Sequence, residues 1–131
     1  MNNCEMKERK RILLTGGPTN EPIDKVMKIT NMSTGSFTTG IAKCFAEKGW
    51  QVVLILNESV HTKDLPEDII VSKVDTTEEM MKALEEKSKK EQYHVIIHAA
   101  AVGDYKTDFT FLMEDLAKEI FSKRKIGRAH V

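Results

Sequence analysis

The sequence predicts an α/β domain built on a parallel sheet. Short apolar runs recur at residues 11–15, 51–56, 69–74 and 94–98. Stretches with helical periodicity lie between most of them. Two of the runs end in small-residue segments, Gly16-Gly17-Pro18 and Ala99-Ala100-Ala101. Continuous apolar strands alternating with amphipathic helices are covered on both faces through right-handed crossovers. The expected architecture is Rossmann-like, with flanking helices.

Each element has its own signal. Residues 11–15 (RILLT) read as a buried strand stopped by the Gly-Gly-Pro turn. A loop with little periodicity follows to about Ser36, and loops of this length inside a domain are usually functional. From Thr38 to Lys48 the pattern is helical: Ile41, Ala42, Cys44 and Phe45 share a face, and Gly49 suits the C-terminal end. Residues 51–56 (QVVLIL) form the second strand, and residues 69–71 with Val74 form a weaker third. Thr76 and Glu79 make a capping box that opens a helix to about Glu91. Residues 94–98 (HVIIH) are the fourth strand. Met113, Leu116, Ala117, Ile120 and Phe121 mark a last amphipathic helix. Met80, Met81, Met113 and Leu116 are expected to face the core. No repeat or low-complexity segment interrupts the pattern.

Composition narrows the class. The chain has 131 residues, 40% hydrophobic and 31% charged, enough for one domain with a core. Lys+Arg and Asp+Glu both number 20, so the basic excess of a nucleic-acid footprint is missing. No apolar run nears the ~20 residues that span a bilayer, and residues 1–10 read as a polar leader without a signal-peptide core. Cys4 and Cys44 are expected to stay unpaired, which suits a cytoplasmic protein. His61 and His130 have no metal-like partners, and no metal ligand is expected from the protein itself.

Ligands of open α/β sheets bind beyond the carboxyl ends of the strands. The default site is therefore a cleft between the loops that follow Thr15 and His98. The first loop holds Gly16, Gly17, Asn31, Ser33, Thr34 and Gly35 and feeds a helix. Glycines admit a phosphate close to the backbone, a helix start attracts anions, and Ser33 and Thr34 add hydroxyls. A capped helix start after a glycine turn explains the same residues without a ligand. The second loop offers Asp104 for a ribose hydroxyl or a phosphate-bridged metal; turn-capping is the plain alternative. His98, ending its strand, reads equally as a hydrogen-bonded core residue or a ligand contact.

Three blocks make the sequence recognisable: Ile12-Leu-Leu-Thr-Gly-Gly-Pro-Thr-Asn-Glu-Pro-Ile-Asp24, then Ile29-Thr-Asn-Met-Ser-Thr-Gly35, then Ala100-Ala-Val-Gly-Asp-Tyr105. In this order and spacing they resemble phosphopantothenate–cysteine ligase over residues 11–123, in its stand-alone bacterial form. The resemblance implies activation of 4′-phosphopantothenate by CTP or ATP with Mg²⁺, then attack of the cysteine amine on an acyl-nucleotide. That is a step of coenzyme A biosynthesis. It further implies Asn31 as the active-site asparagine acting on the acyl-nucleotide. His98, Ala99, Ala100 and Asp104 become nucleotide contacts; Gly16, Gly17, Ser33, Thr34 and Gly35 become phosphate-side residues. A homodimer is implied for the full-length enzyme.

Two positions depart from the family pattern. Thr38 stands where a glycine is usual and is expected to crowd the helix start, and Gly103 replaces a usual Ser or Ala. The family's catalytic lysine loop, base-reading residues and dimer strands lie beyond the matching region. The nucleotide-binding domain over residues 11–124 is thus expected to be C-terminally incomplete, to lack ligase activity alone and to expose an apolar sheet edge. Residues 125–131 read as a non-native tail. Residues 126–131 back-translate to ATC GGA AGA GCA CAC GTC, close to a common sequencing-adapter oligonucleotide; an ordinary basic C-terminus is the alternative. Two further readings of the chain are an NAD(P)-dependent reductase and a non-catalytic nucleotide-binding module. The reductase wants G-x-G-x-x-G where Gly16-Gly-Pro-Thr-Asn-Glu21 stands, and Tyr-x-x-x-Lys where Lys106 follows Tyr105 directly.

Overall fold

A computed structural model describes residues 9–123. In chain order the elements are β1 (Arg11–Gly16), β2 (Glu21–Pro22), β3 (Lys28–Ile29), α1 (Ser36–Glu47), β4 (Gln51–Asn57), β5 (Ile70–Val74), α2 (Thr77–Lys90), β6 (Val95–His98) and α3 (Met113–Lys123). The main sheet has the order β5-β4-β1-β6, and every pairing in it is parallel. The first and last predicted strands are neighbours, with Thr15 opposite His98. Both glycine- and alanine-bearing loops therefore leave the same edge of the sheet.

The apolar runs are continuous because β1 and β4 are covered on both faces. Ile12, Leu14, Val52, Leu54 and Leu56 face one way, onto Ala42 with Ile41 and Phe45 of α1. Leu13, Val53, Ile55 and Val74 face the other way, onto Met80 with Ala83 and Leu84 of α2. Each such buried side chain contributes roughly 1.5–3 kcal/mol of burial energy. The capping box forms as the sequence predicts: Thr76 Oγ1 accepts from Glu79 N, and the Glu79 carboxylate accepts from Thr76 N. Gly49 follows α1 with φ 86°, the left-handed turn expected there.

Four expectations are corrected. The crossover from β4 to β5 carries no helix, because that connection runs as turns over residues 58–69. The loop after β1 is not structureless, since β2 and β3 pair antiparallel within it. The Asp24 carboxylate ties their turn by accepting from the amides of Val26 and Met27. Cys44 is an exposed free thiol at the rim of the α1 stripe, while Cys4 lies outside the described residues. Met80 is buried, but Met81 and Met113 are exposed: the stripe of α2 that meets the sheet is narrower than the apolar pattern, and no described residue of α3 is buried. Val95 and Ile96 of the edge strand β6 are exposed as well. Of the polar leader, residues 1–8 lie outside the described region, and so do residues 124–131 with the reading of a non-native tail.

Candidate functional site

The two loops beyond β1 and β6 do not frame a cleft between them; they are zipped together. The ladder runs on past the strands: Ala99 N donates to Thr15 O (3.3 Å), Ala101 N to Gly17 O (2.9 Å) and Thr19 N to Ala101 O (3.2 Å). Thr15 is buried, and its Oγ1 accepts from Ala100 N (3.2 Å) while lying 2.7 Å from His98 Nδ1. His98 is thus held from the core side yet exposed. Asn31 closes the seam. Its Nδ2 donates to Ala101 O (2.5 Å), and its Oδ1 accepts from Ser33 N (3.1 Å). Asn31, Ala99 and Ala100 are brought together with the β1 loop as the three sequence blocks suggest.

The glycines permit close approach, but the approaching group is protein. Gly17 has φ 84°, and a Cβ there would stand 2.6 Å from Val60 Cγ2. Gly35 has φ 77°, and its Cβ would stand 2.7 Å from the same methyl. Val60 is therefore the wedge on which both turns close. At Gly16 a Cβ would meet Thr38 at 2.5 Å. Thr38 does not crowd the helix start as the sequence suggests. Its side chain occupies the space Gly16 leaves open, and its Oγ1 donates to Thr15 O (3.0 Å).

Two open clefts flank the seam. One, about 220 Å³, lies at the start of α1 and is lined by Thr34, Ser36, Thr39, Lys43, Val60, His61, Asp64 and Leu65. The N-cap of α1 is Gly35, which supplies no side-chain acceptor; the Thr34 hydroxyl donates to Ser36 Oγ (3.1 Å) and accepts a long bond from Ser36 N (3.4 Å). The other, about 360 Å³, lies at the start of α2 and is lined by Glu21, Thr77, Glu78, Gly103, Asp104, Tyr105 and Lys106. Here the helix end is filled. Besides its capping box, the buried Glu21 carboxylate accepts from Thr77 N (2.9 Å). Asp104 is exposed on this side. Among the described residues no three His, Cys, Asp or Glu side chains are grouped to hold a metal, and Asp104 is the carboxylate the sequence offers to one bridged by phosphate.

Sequence reasoning missed several of these groups. Thr15, Thr19 and Glu21 lie in the first strand and the block that follows it without a role of their own, and buried polar residues at a strand end are a signal only once the partner strand is known. Lys43 and His61 come from different elements, so no spacing links them.

Fold and seam together define a Rossmann-like domain whose polar chemistry is gathered at the carboxyl edge of a parallel sheet. The family model for the DNA/pantothenate metabolism flavoprotein C-terminal domain matches residues 7–118, and the chain belongs to that family. The coenzyme A biosynthesis bifunctional protein CoaBC of Thermococcus kodakarensis is 38% identical over 99 residues, covering 76% of this chain and 24% of that protein. The crystal structure of the C-terminal domain of a coenzyme A biosynthesis bifunctional protein CoaBC superposes with TM-score 0.68 at 31% identity, covering 79% of this chain and 50% of that one. The DNA/pantothenate metabolism flavoprotein from Streptococcus pneumoniae gives TM-score 0.65 at 31% identity, over 74% and 42%. The chain thus spans about a quarter of its curated relative and half or less of these solved chains. Among the described residues no helix is long and apolar enough to cross a membrane.

Proposed function

We propose that the chain provides the nucleotide- and acyl-binding part of a cytoplasmic phosphopantothenate–cysteine ligase that acts in coenzyme A biosynthesis. The reaction joins 4′-phosphopantothenate to cysteine through an acyl-nucleotide, with CTP or ATP consumed. The observation that carries this reading is the seam, where Asn31 is bonded to Ala101 beside the uncapped start of α1. A helix start whose N-cap supplies no side-chain acceptor attracts anions, and its cleft holds Lys43 and His61 as donors beside Asp64. The nucleotide phosphates belong there, with Ser33, Thr34 and Gly35 at the rim. His98, Ala99 and Ala100 carry the nucleotide contact along the seam. Asp104, on the far side, is assigned a ribose hydroxyl or a Mg²⁺ that arrives with the phosphates. One N–H of Asn31 is committed to Ala101 O; the other is the donor proposed for the acyl oxygen.

A dinucleotide reductase is disfavoured by the same geometry. Its pyrophosphate needs open backbone at the turn after the first strand, and here that backbone is bridged to Ala101 and packed on Val60. Calorimetric titration of the 131-residue chain with Mg·CTP, Mg·ATP and NADPH tests the reading. Binding of CTP or ATP is expected, and binding of NADPH alone overturns it. The role of Asn31 is tested by Asn31→Asp in the whole ligase. The acyl-nucleotide is expected to accumulate, because losing a transition-state donor costs about 3 kcal/mol in breakdown and little in binding. If both half-reactions fall together, Asn31 only shapes the loop.

A further inference from the structure

We propose that Thr19 is a positioning residue for Asp104, acting through the backbone amide of Gly103; this rests on the nucleotide-binding reading above. The segment after Pro18 follows the strand from which a ligand loop is expected, yet it turns inward. Thr19 is 1% exposed and Asn20 and Glu21 are buried. Asn20 donates through its own amide to Asp75 O (2.8 Å) and through Nδ2 to Asp75 Oδ1 (2.6 Å), which anchors the segment to the β5–α2 turn. Thr19 Oγ1 then sits between two elements. It accepts from Gly103 N (2.7 Å), and the Thr77 hydroxyl donates to it (2.8 Å). Gly103 N also reaches Thr77 Oγ1, at the longer distance of 3.2 Å.

The residue so held is a glycine, and Asp104 comes directly after it. Glycine imposes little on its own dihedral angles. The direction in which Asp104 leaves the seam is therefore set by the hydrogen bond to Gly103 N rather than by local sterics. The site has room for a stiffer residue. A Cβ at Gly103 would meet Glu21 Cγ and Thr19 Oγ1 at 3.5 Å, ordinary contact distances, and no positive φ forbids it. The Thr19 hydroxyl does by tertiary contact what an alanine at 103 would do covalently.

This gives a test that a purely structural threonine would not pass. Thr19→Val keeps the shape and removes the acceptor; Thr19→Ser keeps the acceptor. Titration of Mg·CTP and Mg·ATP into the 131-residue chain is expected to show affinity about tenfold weaker for Thr19→Val and about unchanged for Thr19→Ser. Adding Gly103→Ala to Thr19→Val is expected to recover most of the loss, because the backbone freedom that Thr19 restrained is then restrained locally. Hydrogen exchange of the Gly103 amide in the free chain is expected to be slow in wild type and fast in Thr19→Val, with β1 amides unchanged. If wild type binds neither nucleotide, the functional reading fails and this proposal with it. If wild type binds and Thr19→Val binds equally well, or the double variant recovers nothing, the positioning role alone is overturned. Should Thr19→Val not fold, an unprotected Gly103 amide in the wild-type chain overturns the proposal, and a protected one supports it.

Discussion

The starts of α1 and α2 face the same edge of the sheet, and the sequence treats them in opposite ways. At α2 every favourable anionic contact is supplied by the protein: Thr76 caps, Glu78 and Glu79 fill the first turn, and Glu21 is delivered from 56 residues away. At α1 the cap is a glycine, the first turn has no acid, and the cleft beside it holds Lys43 and His61 together with Asp64. Helix ends of equal intrinsic dipole thus serve different purposes. A filled end is a structural joint, and an end left unfilled is where an incoming phosphate gains most. This contrast gives the phosphate site proposed at α1 a physical cause, independent of any motif.

The comparison is broken most severely at Gly35. Gly35→Ala forces a side chain into positive φ and onto Val60, and should destabilise by about 2–3 kcal/mol in chemical denaturation. Gly40, inside α1 with nothing within 4 Å of its missing Cβ, is the control; Gly40→Ala should stabilise by about 0.5–1 kcal/mol. A loss at both positions would show that α1 tolerates no change, and Gly35 would not be special.

Next comes the filled end. Glu21→Ala leaves Thr77 N without its acceptor and should cost about 1–2 kcal/mol of stability. Thr34→Ala, at the open end, should cost a few tenths of that, because only an exposed hydroxyl contact to Ser36 and a long bond from its amide are lost. Equal costs would erase the distinction between the two helix starts.

The open end should instead be sensitive in binding. Lys43→Ala should weaken Mg·CTP or Mg·ATP about threefold at low salt, with the difference shrinking at high salt and stability unchanged. A salt-independent effect would place Lys43 away from the phosphates.

The smallest effect concerns pH. The amides of Met27 and Val26 hold the exposed Asp24 carboxyl below its ordinary value. Because the folded value is lowered, the turn's stabilisation is present above the unfolded value and is lost as pH falls through the folded one. The amide shifts of Val26 and Met27 in an NMR titration should report a midpoint below that of a free aspartate. A midpoint at or above it would mean that the turn is not held by this carboxylate.

Much of this was written locally. The strands are legible because β1 and β4 are buried on both faces and need unbroken apolar runs. The start of α2 is legible because Thr76 and Glu79 satisfy each other within one turn. The three blocks that identify the family are also local strings, which is why Asn31 and Asp104 could be singled out without coordinates. Met81, Met113 and Cys44 show the limit. Apolar periodicity says which residues could share a face, while whether that face meets the sheet, and how wide the contact is, are properties of packing.

What only the tertiary structure decided is how the blocks meet. Gly16, Gly17 and Gly35 read as phosphate-side residues, yet the spaces they leave are filled by Thr38 and Val60. The loops that suggested a cleft are instead joined through Ala101. Glu21 is a charged residue in a polar stretch until α2 arrives to use it. Sequence determines elements through periodicity and capping, which act within a few residues. The seam and the contrast between its two helix ends depend on groups 56 to 85 residues apart, such as Glu21 with Thr77 and Thr15 with Ala100. The adjacency of the first and fourth strands follows from the α/β pattern, but the register that pairs these groups is encoded by no local string.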